Sequence, residues 1–167
     1  LGCHVAGNIG GALDGKAARV TALDPALPLF DIAPDDSRVD PSDAQFVDVV
    51  HAAGGYLWEN GLAFFTPRGD VDFYPNNGRS QPGCEGESFG RCSHQRAPAF
   101  FEETFSSTEG FLGCPCEDWE QFLEGNCNCD DPIIMGQNTP TTLNGTFFFR
   151  TGSTAPYALG KSGASSE

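Results

Sequence analysis

The sequence predicts an α/β fold, one mostly parallel sheet with flanking helices and long loops, and three observations carry that expectation. Apolar runs at 19–24, 45–52, 70–75 and 144–151 read as strands bounded by Gly, Asn or Pro punctuation. Residues at helical spacing occur at 2–13 and again between Cys92 and Phe105. Strands separated by helices and long loops suit a layered sheet better than a sandwich. With 167 residues the chain is long enough for one domain or a large piece of one.

The first helix, 2–13, pairs glycines with Val5, Ala6, Ile9, Ala12 and Leu13. Its intrinsic propensity is poor, so it is expected to be a buried helix packed closely on its neighbours. RVTALD (19–24) ends in a carboxylate and runs into the proline-broken turn DPALPLF. QFVDVVHA and DVDFYP supply a second and a third strand. A second helix begins close to His94, with Pro98 tolerable near its first turn. NGTFFFRT is the last strand, and GKSGASSE reads as a polar, disordered tail. Only about four strands can be counted, so the sheet is expected to be incomplete on its N-terminal side.

Nine Lys and Arg stand against 23 Asp and Glu, a formal charge of −14 that repels phosphate backbones and argues against a nucleic-acid partner. Six of the seven cysteines fall between Cys84 and Cys129. Such density favours disulfides and an oxidising, extracellular compartment. Zinc is the competing reading for Cys114, Cys116, Cys127 and Cys129, although their single-residue spacings are tighter than the usual ligand loop. Asn144-Gly145-Thr146 is a glycosylation sequon.

Asp24 at a strand end, His94 beside a helix start and Gly2 in a small-residue helix start are parts of a hydrolase site. The nucleophile is not among them. In nucleophile-elbow enzymes a serine lies in G-x-S-x-G and the triad runs Ser, Asp or Glu, then His along the chain. A serine before Leu1 would complete S-x-G with Leu1-Gly2.

LGCHVAG, LDPALPLF, SRVDPSDAQFVDVVH, DFYPNNG, QPGC and CSHQRA follow one another as they do in the pancreatic-lipase-like family, and the chain resembles that family over residues 1 to 152. The family includes secreted triacylglycerol lipases and arthropod phospholipases A1. The resemblance implies an α/β-hydrolase fold, with residues 1–155 as the C-terminal part of the domain and 156–167 as the tail. It implies Asp24 as triad acid and His94 as triad base, a serine just before Leu1, and the Leu1 N–H as an oxyanion donor. Asp24 could otherwise simply start a turn before Pro25. His4 and His51 also match family positions and read as structural.

The resemblance extends to a calcium loop, with Asp40 and Asp43 as side-chain ligands and the carbonyls of Asp35 and Arg38 completing the set. No cofactor is required, and the calcium would be structural. The competing role is a capping box from Ser42 to Gln45. In the family, the cysteine pair at Cys84 and Cys92 closes the lid. Here that lid is only EGESFGR, and short lids accompany phospholipase A1 activity. Cys116 and Cys127 match a family disulfide, which leaves Cys114 with Cys129 and Cys3 unpaired. The expected function is a secreted ester hydrolase acting on phospholipid or glyceride at a transiently bound lipid surface. These 167 residues alone are expected to be inactive. A triacylglycerol lipase is the alternative within the family, and a non-catalytic lipid-binding or yolk-type relative the alternative from another class.

Overall fold

The computed structural model describes residues 1–166. Six strands form one sheet: β1 (Val20–Leu23), β2 (Val47–Val50), β3 (Val71–Pro75), β4 (Phe111–Pro115), β5 (Ile133–Met135) and β6 (Gly145–Phe149), in the order β1-β2-β3-β6-β4-β5. β1, β2, β3 and β6 are parallel neighbours, and β4 and β5 extend the sheet antiparallel. The chain has the α/β-hydrolase fold.

Burial explains why these segments are strands. Every residue of β2 and β3 is buried, which is how central parallel strands covered on both faces read. Alternation then divides the side chains between layers. Phe73, Phe147 and Phe149 face a cluster with Ala97 and Phe100 of helix α2 (Arg91–Glu103). Tyr74 and Phe148 face a smaller cluster with Phe122 of helix α3 (Trp119–Leu123) and the cysteines. Val47 and Val49 pack with Val20 and Ala22 against Cys3 and Ala6 of helix α1 (Gly2–Ala12).

Four findings differ from the sequence expectations. β4 and β5 were not anticipated, because a cysteine-bearing FLGCP and a three-residue IIM show no alternation long enough to register. α1 is not buried all round: His4, Gly7 and Gly10 are inside, whereas Val5 and Ile9 are more than half exposed. Pro98 lies in the interior of α2 rather than near its first turn, since that helix starts at Arg91.

The fourth is the tail, which is ordered and packed through residue 166. The amides of Tyr157 and Ala158 both donate to the Glu103 carboxylate at 2.8 Å, and Ala158 and Ala164 are buried. The polar composition of the last residues concealed it. Backbone bonds from Gly160 to Gly110 and from Arg150 to Gly163 hold the tail beside the packing of Tyr157 and Ala158 on the core.

Candidate active site

Asp24 follows directly on β1 and adopts a left-handed backbone, φ 58°, where a non-glycine residue is uncommon. Its amide is still held by the Val50 carbonyl at 2.8 Å, so the turn is anchored to β2. The carboxylate is wholly buried, and both of its oxygens are hydrogen-bonded. Oδ1 accepts the backbone N–H groups of Ala52 and Ala53 at 2.6 and 3.0 Å, and Oδ2 lies 2.6 Å from Nδ1 of His94. A buried carboxylate with three such partners has one orientation available.

His94 comes from the first turn of α2, with its amide bonded to the Gly90 carbonyl at 2.8 Å. Its side chain is 37% exposed while that of Asp24 is inaccessible. With Nδ1 turned to Asp24, Nε2 is the nitrogen left to exchange a proton, the arrangement a general base needs. Pro98, one turn further on, has no N–H to give the His94 carbonyl.

Asp24 and His94 line a depression of about 310 Å³ that also includes Leu1, Gly2, Thr21 and Pro98. The N-terminal end of α1 thus meets the histidine–aspartate pair across one cavity, at the positive pole of the helix dipole.

The model of the lipase family matches residues 1–157. The chain belongs to the lipase family. Its similarity is to the pancreatic-lipase-like branch. Pancreatic lipase-related protein 2 of Cavia porcellus is 38% identical over 163 residues, covering 91% of this chain and 37% of the relative. Pancreatic lipase-related protein 3 of Homo sapiens is 36% identical over 186 residues, covering 95% of this chain and 40% of the relative. Lipase member H-B of Xenopus laevis is 38% identical over 137 residues, covering 78% of this chain and 29% of the relative. The chain spans about two fifths or less of the length of these relatives.

This lipase-family chain contains three disulfides: Cys84–Cys92, Cys114–Cys129 and Cys116–Cys127. The four cysteines of the CPC and CNC pairs are therefore bonded to one another, which removes the zinc reading. Cys3 is the free cysteine among the described residues. Within the loop closed by Cys84 and Cys92, the Glu87 carboxylate accepts the amides of Cys92 and Ser93 at 2.6 and 3.0 Å and also meets the Ser93 hydroxyl. The short loop is thereby folded back as a cap on the helix that carries His94. Asn144 is exposed just ahead of β6.

The acidic loop of this lipase-family chain does form a capping box, shifted from the sequence expectation. It runs from Asp40 to Asp43, not from Ser42 to Gln45: Asp40 Oδ1 accepts the Ser42 amide at 2.7 Å and Asp43 Oδ2 accepts the Asp40 amide at 3.0 Å. Pro41 at the first position made this register available. Burial pushes the Asp43 carboxyl above its usual value. Among the described residues no cluster of three or more His, Cys, Asp or Glu side chains is placed to hold a metal. The donors of a calcium loop would be two carboxylates and two carbonyls, all hard oxygens, and the box engages only one oxygen of each carboxylate. The Asp35 carbonyl already accepts the Arg38 amide at 3.1 Å. The donor set suits calcium chemically.

The groups that sequence reading missed are backbone groups and a cap. The Ala52 and Ala53 amides that fix Asp24, and the Glu87 cap, carry no signature in residue type or spacing. QPGC and the glutamate three residues on were visible as a loop, but the helix terminus that the glutamate serves was not.

Proposed function

We propose that the full-length protein is a secreted carboxylic ester hydrolase acting on lipids, of the phospholipase A1 type. A serine immediately before Leu1 is the nucleophile, His94 its base and Asp24 the acid that orients the base. The observation that carries the reading is the 2.6 Å contact between His94 Nδ1 and the buried Asp24 carboxylate beside the N-terminal end of α1.

Nε2 of His94 takes the serine proton as the hydroxyl oxygen attacks the ester carbonyl carbon. Asp24 keeps the Nδ1 proton in place and stabilises the imidazolium. The Leu1 N–H is one donor to the oxyanion. Collapse expels the alcohol, which receives the proton from His94, and water then hydrolyses the acyl-enzyme by the same route. The chain 1–167 alone has no such nucleophile and is inactive. Secretion is supported by the three disulfides, which persist in oxidising compartments, and the Asn144 sequon sits where an oligosaccharide transferase could reach it.

Phospholipid is favoured because only seven residues separate Cys84 from Cys92, too few to cover a wide apolar cleft, which leaves room for a head group. The second reading, a triacylglycerol lipase, is favoured by the exposed Tyr56 and Trp58, stacked at 4.5 Å on the neighbouring loop, a surface suited to acyl chains. Hydrolysis of dispersed phosphatidylcholine and of emulsified triolein by the full-length protein separates the two. Preference for triolein overturns the phospholipase reading, and no hydrolysis of either leaves a non-catalytic lipid-binding role. Asp40, Asp43 and the carbonyls of Asp35 and Arg38 would hold a structural calcium. Unfolding at the same temperature with calcium and with chelator would remove that part.

A further inference from the structure

A second histidine–aspartate couple lies in the strands next to Asp24, and it is closed to solvent. His51 directly follows β2 and Asp72 belongs to β3; His51 Nε2 is 2.7 Å from Asp72 Oδ1, with side chains 0% and 2% exposed. The other ring nitrogen, Nδ1, is 2.7 Å from the Phe64 carbonyl. A peptide carbonyl has no proton to give, so Nδ1 must donate.

The protonation at Nε2 follows from what surrounds Asp72. Its Oδ1 accepts the Arg68 amide at 2.8 Å and its Oδ2 accepts the Gly69 amide at 3.1 Å. Backbone donors of this kind favour the ionised carboxylate, and a carboxylate accepts from Nε2 rather than donating to it. With a carbonyl at Nδ1 and an amide-bonded carboxylate at Nε2, both ring nitrogens face acceptors, the arrangement that suits an imidazolium. Asp72 and Tyr74 on β3 face the ring, and Arg68, on the loop before β3, bonds Asp72 through its amide. Tyr74 is stacked on the imidazole at 4.4 Å and donates its hydroxyl to the Phe65 carbonyl, so it supplies no proton to the ring. The Arg68 guanidinium lies over the Phe64 ring.

The two residues after His51 are Ala52 and Ala53, whose amides converge on Asp24 Oδ1. We propose that His51, held as an imidazolium between Asp72 and the Phe64 carbonyl, is a positioning residue for the catalytic pair, fixing the 51–53 turn that orients Asp24 toward His94. This rests on the ester-hydrolase reading above. His51 touches neither substrate nor the reacting atoms. It acts through the two alanine amides, which hold Oδ1 and leave Oδ2 to His94. If either partner of the couple is removed, the turn loses its anchor at His51 and, apart from Asp24 itself, keeps the bond from Gln81 Nε2 to the Ala52 carbonyl at 3.0 Å. A displacement of about 1 Å in such a support can reduce a rate about 10²-fold.

The test uses the full-length protein with His51→Gln, Asp72→Asn and, as control, His94→Ala. Rates are expressed per active site titrated with a reactive organophosphonate, so unfolded molecules are not counted. His51→Gln and Asp72→Asn are expected to lower kcat about 10²-fold, to leave KM nearly unchanged, and to displace the acid limb of the pH–rate profile, which reports the base that Asp24 orients. Wild-type kcat per site with an unmoved acid limb overturns the proposal, even if the variant melts earlier, because a purely structural couple predicts that pattern. Should neither variant fold, nitrogen NMR of the wild-type protein at pH 8 decides: two protonated ring nitrogens on His51 support it, and a single one overturns it. Undiminished activity in His94→Ala would instead bring down the ester-hydrolase reading, and this proposal with it.

Discussion

His94 and Asp24 stand 70 residues apart in the chain and 2.6 Å apart in space, joined Nδ1 to Oδ2, with the aspartate inaccessible and the histidine reachable from one cavity. The contact needs both β1 and α2 in place. Nothing local brings the two residues together.

The proposed mechanism requires Asp24 to select the tautomer of His94 as well as to carry charge. In the full-length protein, Asp24→Asn is expected to keep the fold and lose about 10⁴-fold in kcat, the scale measured for the equivalent change in a serine protease triad. His94→Ala should be at least as damaging. Steady-state ester hydrolysis of the two variants, beside their melting curves, checks this. Activity within tenfold of wild type in a folded Asp24→Asn protein would refute the assignment.

The close approach of α1 to the acidic loop rests on glycine. A Cβ at Gly10 would run into the backbone carbonyl of Asp43, which cannot rotate away as a side chain could. Gly10→Ala gains about 1 kcal/mol in helix propensity but incurs an overpacking cost of about 1–3 kcal/mol, toward the upper end for a backbone clash. Thermal unfolding should show Tm lowered by several degrees. Gly2→Ala, with open space at that position, is the control and should not lower it.

His4 sets a pH dependence of stability. Burial, the largest influence, lowers its pKa below 6.5, and its Nδ1 accepts the Val39 amide at 3.2 Å, a bond that protonation would break. In the unfolded chain the imidazole titrates near 6.5, so below that pH the unfolded state binds the extra proton first. Stability from this group is therefore complete above about pH 6.5 and declines as pH falls toward the lowered folded value. Melting temperatures between pH 7.5 and 5 should fall on acidification, with a smaller slope in His4→Gln.

Cys3 is predicted to be a sluggish thiol. It is half-buried, its pKa is raised chiefly by burial, and its S–H donates to the Leu23 carbonyl at 3.3 Å. The thiolate is the reactive species, so iodoacetamide at pH 8 should modify native Cys3 more than tenfold more slowly than it modifies the urea-unfolded chain with its disulfides intact. Mass spectrometry of time points reads this directly, and equal rates would contradict the burial.

The four parallel strands were legible because each carries a run of β-branched or aromatic residues bounded by breakers. β4 and β5 were not, since FLGCP is broken by glycine, cysteine and proline and IIM is only three residues long. The end of the chain was misread for a related reason. Its packing rests on backbone bonds, the Glu103 carboxylate and a few small or single apolar side chains such as Ala158 and Tyr157, and composition reports none of these.

Composition, cysteine density and the ordered motifs from LGCHVAG to CSHQRA sufficed to indicate an α/β sheet, the disulfides and the residues Asp24 and His94 that the fold brings together. These are properties of residue type and spacing, carried along one dimension. The support of Asp24 by the Ala52 and Ala53 amides, the Glu87 cap on α2 and the closed His51–Asp72 couple became visible only in the folded molecule. Each depends on which backbone N–H points where, and every residue but proline has the same N–H, so direction exists only once β1, β2 and β3 lie side by side.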